Sequence, residues 1–431
     1  MKALSPSTPR TPQAVRDRPR VRARSRVALG VALAAGLALS GCATASDSAG
    51  GAAPEPSAGS GEATPRVAVS YDGGVLVLDG TTLELVGEFA SEPFTRLNAA
   101  GDGRHLFLTT SEGFQLLDAG TWTDASGQAQ TADPELTDAV VAAATAGHVV
   151  RHAGKTVLYD DATSDTTIFE TADLLEAGGS LPEAEVVPGV DAHHGVSVVL
   201  EDGTVVTTVG DADGRTGIRA LDDHGHEIAV SDQCPGVHGE GTTAGEVLVF
   251  GCEDGVLLYD AGEIVKLDAP DEYGRTGNAY VSETSPIMVG DYKDDPDAEG
   301  YFLHHLVLAD TEARTLQVVD LPEGVEYTWR GVARGPDDDA FILAGDGSIH
   351  VLDPATGELT DSFPVIEPWE SPAEWQEPHP AIVVHGEIAY VTEPAANAIH
   401  RVDLTTGEVI ASSTLDETPN EFAVATGTAA H

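Results

Sequence analysis

Residues Cys234 to Asp260 read CPGVHGEGTTAGEVLVFGCEDGVLLYD. The second half is two apolar runs, EVLVFG and GVLLYD, separated by a short polar turn with a glycine. Strand-forming residues on either side of such a turn are the pattern of a β-hairpin. The first half places a histidine, His238, just ahead of another extended segment. Two cysteines, Cys234 and Cys252, bracket that segment. The hairpin ends in two apolar residues, a tyrosine and an aspartate, and this ending decides the fold because it recurs.

Working outward, Asp-ending apolar runs appear as GVLVLD (Asp79), GFQLLD (Asp118), KTVLYD (Asp160), GIRALD (Asp222), GVLLYD (Asp260), LHHLVLAD (Asp310), SIHVLD (Asp353) and AIHRVD (Asp403). Their mean spacing of about 46 residues is the period of a four-stranded propeller blade. Runs such as HLFLTT, HVVRH, EVLVFG, AFILAG and EIAYVT precede them, and TTLELVGEF, GEIVKL, ATGELTDSF and TTGEVIASS follow. Each unit is therefore read as an inner strand a, then b, an Asp-ending c, and an outer d. The expectation is an all-β propeller of eight four-stranded blades, with seven the fallback if the unit from Gly277 to Asp320 is irregular. The first unit, beginning RVAVSYDGG, lacks its strand a, which PNEFAVATG near the C-terminus is expected to supply, closing the ring and leaving no free sheet edge. TADLLEAG is the one short helical stretch read from the sequence. The acidic insert GDYKDDPDAEG reads as a solvated loop rather than a calcium site, since it lacks the spacing of a calcium loop.

Ahead of these units stand eight basic residues within the first 26, the run VALGVALAAGLAL, and Ser40-Gly41-Cys42. This is the layout of a secretory signal, too short for a comfortable membrane span. LSGC resembles the bacterial lipoprotein box, which implies that residues 1–41 are removed and that Cys42 is lipidated. The protein would then be held at the outer face of the cell membrane. An ordinary signal peptide with an incidental Cys42 is the alternative. Residues 42–65, rich in Ala, Gly, Ser and Pro, read as a flexible tether, and residues 66–431 as the propeller domain. Loss of residues 1–41 removes eight of the 22 basic residues and one of the 71 acidic ones, leaving a formal charge of −56. Such a surface repels nucleic acid and gathers cations. In an oxidising exterior, Cys234 and Cys252 read as a disulfide closing a loop of about 18 residues. Zinc-thiolate ligation is the alternative, without the short spacing it normally shows.

In a propeller the residues that open each strand a line the central channel. Counting back from strand b places Arg96, Asp138, His194, His238, Gly277, Arg330, His379 and Asn420 there. Three are histidines, in DAHHG, GVHGE and EPHPA, each at a bend before an inner strand. Imidazoles from different walls of one channel can share a metal. His193 can stand in for His194, and His152 is a fourth candidate at the rim. Glu240 and Asp191 are the neighbouring carboxylates, as second-shell or direct oxygen partners. Neutral imidazole with carboxylate fits Zn2+ first, with Cu2+ and Ni2+ also compatible. The competing reading is that these histidines are hydrogen-bonded, solvated channel fillers. His224 and His226 read as surface residues. No nucleophile elbow, HExxH helix or glycine-rich phosphate loop is present.

The segments CPGVHGE, VLVFGCEDGVLLYD, DAHHGVSV, GHVVRHAGKTVLYDD, GFQLLDAGTW and TPNEFAVA resemble the AztD family of extracytoplasmic zinc metallochaperones, over most of the chain from about Val67 to Ala425. The resemblance implies a non-enzymatic β-propeller that binds zinc and hands it to the solute-binding protein of a zinc ABC importer. It implies metal-site roles for His194, His238 and His379, with His152 and His193 as further members. Relatives commonly carry a His-rich loop after the GTW turn, whereas here TDASGQAQTADPE follows Trp122. The expectation is thus a monomeric zinc carrier. The alternatives are a cell-envelope interaction scaffold with structural histidines, or a propeller enzyme of the lactonase or quinoprotein sort.

Overall fold

The computed structural model of the chain describes residues 57–59, 63–298 and 300–429. The expected signal peptide and Cys42 lie outside the described residues. Eight blades of at least four antiparallel strands form a ring. Taken from inner to outer strand, blade I is Phe422–Ala425, Arg66–Tyr71, Gly74–Asp79 and Leu85–Ala90, and blade II is Leu97–Ala99, His105–Thr110, Gly113–Asp118 and Glu135–Ala142. Blade III is Ala146–His152, Lys155–Asp160, Thr166–Glu170 and Glu185–Val187. Blade IV is Ser197–Val199, Val205–Gly210, Arg215–Leu221 and Glu227–Ser231. Blade V is His238–Thr243, Val247–Cys252, Asp254–Asp260 and Glu263–Asp268, and blade VI is Ala279–Tyr280, Ile287–Tyr292, His305–Asp310 and Thr315–Asp320. Blade VII is Val332–Arg334, Ala340–Leu343, Ser348–Asp353 and Glu358–Pro364. Blade VIII is Ile382–His385, Ile388–Glu393, Ala398–Asp403 and Glu408–Thr414. The helical turn expected at TADLLEAG is Asp173–Glu176. No helix among the described residues is long and apolar enough to cross a membrane.

The b and c strands are unbroken apolar runs because both their faces are covered. On Gly74–Asp79, Leu76 and Leu78 enter a core shared with Tyr390 and Ile399 of blade VIII. The alternate residues Val75 and Val77 enter one shared with Leu106 and Leu117 of blade II. In Asp254–Asp260, Leu257 and Tyr259 join Val206 and Ile218 of blade IV, while Val256 and Leu258 join Met288 and Val307 of blade VI. Period-two alternation thus feeds two inter-blade cores from one strand. The outer strands meet solvent instead, and Leu85, Ile228, Val230 and Val409 are exposed there.

The recurring aspartate has a local cause. Asp79 Oδ1 accepts the backbone N–H groups of Thr81 and Thr82, and Asp403 Oδ1 accepts those of Thr405 and Thr406. Asp353, Asp310 and Asp222 do the same for the turns that follow them. An aspartate bonding the backbone two residues on is an Asx turn, which bends the chain sharply out of a strand. It marks a strand end, not a particular strand, and this matters in blade III. There KTVLYD is strand b, and Asp160 closes a b-to-c turn through the N–H of Ala162. The inner strand is the preceding AGHVVRH, so this blade is displaced by one strand from the sequence reading. Asp138, expected at the channel, lies on the outer strand of blade II.

Two further findings bear on the ends of the chain. Phe422–Ala425 pairs with Arg66–Val69, closing the ring as expected. The segment read as tether is engaged with the domain: Ser57–Gly59 pairs with Ala129–Thr131, and the Thr64 carbonyl accepts from Thr121 Oγ1. Strands Thr121–Thr123 and Ala129–Thr131 form a hairpin in the c-to-d connection of blade II. In an antiparallel blade, c-to-d and a-to-b connections share one face of the ring, and d-to-a and b-to-c connections share the other. Cys234 and Cys252 form a disulfide joining the turn before the inner strand of blade V to the end of strand b. Replacing both cysteines by serine is expected to lower stability by about 3 kcal/mol from the closure of this loop. A urea denaturation midpoint, compared with that of wild type in the absence of reductant, measures it.

Candidate metal centre

Three inner-strand beginnings converge on one point of the channel. His194 lies in the d-to-a connection that leads into Ser197–Val199, His238 opens the inner strand of blade V, and His148 is the third residue of the inner strand of blade III. All three therefore belong to the same face, opposite the hairpin that binds Ser57–Gly59. One nitrogen from each lies within 4.8 Å of the others, and this is the metal-competent group of three or more side chains found among the described residues. The Nε2 atoms of His194 and His238 are 3.1 Å apart, and those of His148 and His194 are 3.4 Å apart.

Backbone irregularities aim two of these rings. Strand pairing slips between Ala146 and Val149 at His148, and between His238 and Glu240 at His238. A β-bulge of this kind turns a side chain out of the regular alternation. Gly239, at φ +65°, makes the second slip, and a Cβ there would stand 2.5 Å from the Gly277 carbonyl oxygen. Gly147 has a complementary role, since a Cβ on it would lie 2.3 Å from Asp161 Oδ1. The missing side chain admits the carboxylate that orients His194.

The other nitrogen of each ring faces an acceptor. His194 Nδ1 lies 2.6 Å from Asp161 Oδ2, and His238 Nδ1 lies 2.5 Å from the Gly277 carbonyl oxygen. His148 Nδ1 is 3.7 Å from Glu240 Oε2. A ring that donates from Nδ1 must present Nε2 as a bare lone pair. The Gly277 carbonyl is itself fixed by the buried Asp291, which accepts from the N–H groups of Gly277 and Asn278. The surroundings oppose protonation of His238 and His148. Burial pushes His238 down to about 3, helped by the charges of His194, Arg215 and Arg275 and opposed by the bond to Gly277. Burial also holds His148 well below the ordinary imidazole value, with His238, His194, Arg96 and Arg215 adding to the effect. Burial pushes the Glu240 carboxyl up to about 7.

The Nε2 atoms face one another at 3.1–3.4 Å, a separation that a shared proton or a shared metal ion can bridge. Four nitrogens at 2.0–2.1 Å around a tetrahedral zinc ion lie about 3.3 Å apart, so the donor set fits zinc in both type and spacing. Three protein ligands leave a coordination position vacant. His194 and His238 border a cavity of about 560 Å3, and His238 and His148 border a second of about 320 Å3 on the inner side.

The remaining expected residues are placed elsewhere. His193 has both ring nitrogens engaged, Nε2 with Tyr159 and Thr208 and Nδ1 with Ser164 and the Asp191 carbonyl. Asp191 meets it through its backbone, not its carboxylate. His152 sits at the far end of its strand from His148, with Nε2 2.9 Å from Glu246 Oε1. His379 is buried between Trp329 and Trp369, donates Nδ1 to the Glu377 carbonyl, and is not among the three converging rings. Its Nε2 is buried without a partner, and burial pushes its pKa down to about 4. Glu240 lies beside His148, its Oε2 3.7 Å from the ring's Nδ1. Sequence reasoning missed His148 and Asp161. Their signal was the inner strand AGHVVRH and the doubled aspartate of KTVLYDD, concealed by the one-strand displacement of blade III.

No protein-family model matches the chain. In sequence it is 26% identical over 271 residues to the zinc chaperone AztD of Citrobacter koseri. That alignment covers 60% of this chain and 60% of the relative, so the chain spans less than two thirds of that protein's length. Its fold superposes on apo AztD from Citrobacter koseri with a TM-score of 0.70 at 21% identity, covering 84% of this chain and 98% of the other. The dihydro-heme d1 dehydrogenase NirN in complex with DHE matches with a TM-score of 0.55 at 13% identity, over 84% and 75% of the two chains. The chain thus resembles AztD in sequence, and both structural likenesses establish the propeller fold.

The hydrogen-bond pattern predicts that His194 and His238 each carry a proton on Nδ1. Long-range 1H–15N correlation spectra of the metal-free protein should show this tautomer for both. Asp161→Asn should alter the His194 signals and leave those of His238 in place.

Proposed function

We propose that the protein is a zinc carrier that holds Zn2+ on His148, His194 and His238 and releases it to a protein acceptor by ligand exchange. The observation that carries this reading is the convergence of three histidine rings whose nitrogens lie within 4.8 Å of one another, two pairs of Nε2 atoms standing near the edge length of a zinc tetrahedron. The likeness to a protein named as a zinc chaperone supports the choice of metal.

The residues divide the work. His148, His194 and His238 supply the ligands, and burial keeps His148 and His238 from being protonated before the metal arrives. Asp161 fixes the direction of the His194 ring, and the Gly277 carbonyl fixes that of His238. The vacant position opens on the 560 Å3 cavity, where an incoming ligand can bind before a histidine leaves. A closed cage of four protein ligands would release metal slowly by comparison. The formal charge of −49 for the whole chain raises the local concentration of divalent cations around the mouth.

In this reading the protein works outside the cytoplasm, anchored through Cys42, and its acceptor is the solute-binding protein of a zinc ABC importer.

Zinc titration of the metal-free protein should give one site per chain. His148→Ala, His194→Ala and His238→Ala should each weaken it by more than about 100-fold, and Asp161→Asn by about 10- to 100-fold. His379→Ala should change it by less than about threefold. No stoichiometric binding by wild type, or equal loss with His379→Ala, would overturn the assignment. Protons compete with zinc for Nε2, so affinity must fall as pH falls. With His238 at about 3 and His148 also depressed, proton competition at these two rings should set in only below the ordinary imidazole range near 6.5. NMR titration of the His238 ring of the metal-free protein from pH 7.5 down to 4.5 should show it. A midpoint near 6.5 for that ring would contradict its desolvated position.

A further inference from the structure

Arg96 lines both cavities beside His238, next to Trp329 and Asn278. Its backbone N–H bonds Thr109 Oγ1, but its guanidinium makes no hydrogen bond among the described residues. Nε is buried without a partner and lies 3.9 Å from Glu421 Oε2, and the group stands over the Trp329 ring at 5.4 Å. Glu421 is engaged by Arg330, which donates to its Oε1. Arg275, also in the larger cavity, contacts the Gly236 carbonyl and Glu253 through Nη1 alone, at 3.3 and 3.6 Å. The buried carboxylate in that cavity, Asp291, is already committed to Gly277 and Asn278.

A guanidinium has five donors in a planar fork that matches a carboxylate. Leaving those donors unused beside a site that takes a dication is unfavourable twice over, through unmade hydrogen bonds and through like-charge repulsion. One ligand removes both costs: an anion that reaches the vacant coordination position and Arg96 together. The rest of the cavity describes its body. Trp329, Trp375, Tyr292 and Phe302 form apolar walls, and 560 Å3 suits a small organic molecule.

We propose that this cavity binds a small organic carboxylate, which occupies the fourth position on the zinc ion and pairs with Arg96. The proposal rests on the zinc-carrier reading and adds its co-ligand. One carboxylate oxygen bonds the metal and the other faces the guanidinium. The acid is already ionised at neutral pH, so no proton or electron changes hands. Zinc then arrives or leaves with a companion that cancels part of its charge, and Arg96 makes bare zinc less welcome than the zinc–carboxylate pair.

The test is calorimetric titration of zinc-loaded and metal-free protein with succinate and with phthalate, using neutral phthalamide as the control. The expected result is saturable binding of at least one acid, about tenfold tighter to the zinc form, with zinc tightened equally by the acid as linkage requires. Phthalamide should not bind. Arg96→Gln should bind zinc alone more tightly than wild type, because a nearby cation is gone, while losing the enhancement by the acid. A merely structural role for Arg96 would weaken both. Absence of saturable binding by either acid, or undiminished binding to Arg96→Gln, would overturn the proposal. The metal-free titration separates this outcome from failure of the zinc reading: if wild type takes no zinc, acid binding that depends on Arg96 still supports the anion site.

Discussion

The site exists because the ring closes. Four residues near the C-terminus, Phe422–Ala425, pair with Arg66–Val69 across more than 350 positions of sequence. Inner strands are short, and the inner strand of blade VI is two residues long. Such strands contribute little alone. They hold position because each blade is pressed between two others through alternating side chains, and an open ring would expose one face of two blades at once. Ring closure is therefore what converts three histidines 44 to 90 residues apart into neighbours about 3 Å apart.

Closure brings the rings together, but local chemistry decides what they can bind. Two bulges turn His148 and His238 inward, and Gly147 and Gly239 let a carboxylate and a carbonyl approach from behind. The disulfide at Cys234 and Cys252 pins the turn carrying His238, since Gly251, next to Cys252, is the pairing partner of His238. Asp161 and Gly277 then set the proton on the outer nitrogen. The result is a set of ring nitrogens, those of His148 and His238 kept unprotonated by burial, at a spacing that suits ligands of one zinc ion.

The architecture was legible in the sequence because an Asx turn needs its aspartate at a fixed place after a fully buried strand. Eight Asp endings counted eight blades, although the Asp260 side chain accepts from Arg314 and not from the backbone of its own turn. The same motif misled in blade III, because an Asx turn can end strand b as well as strand c. Counting back from KTVLYD then reached Asp138 on the outer strand instead of His148 on the inner one. His194 and His238 were found because each sits just before an inner strand whose blade obeys the common register. His379 satisfies the same count, yet its ring is taken up by Trp329 and Trp369. Register along the chain predicts which wall a residue comes from; the rotamer depends on what else is packed there.

A carrier has to bind tightly and still let go, and the two demands are met by different parts of this channel. In the proposed reading, retention comes from pre-aimed imidazoles, two of which burial keeps unprotonated. Release comes from the lack of a fourth histidine and from Arg96 and Arg275, which meet Glu421 and Glu253 only at 3.9 and 3.6 Å. Those two cations make the bound ion less stable than the same three histidines would in a neutral wall. Any incoming carboxylate or imidazole meets an open position on the metal, flanked by positive charge. Under the proposed function, that arrangement would let an acceptor's ligand join before a histidine leaves. A fourth histidine in this channel would deepen the well and remove that route, which is why the position of His379, shielded between two tryptophans, suits a protein that hands its metal on.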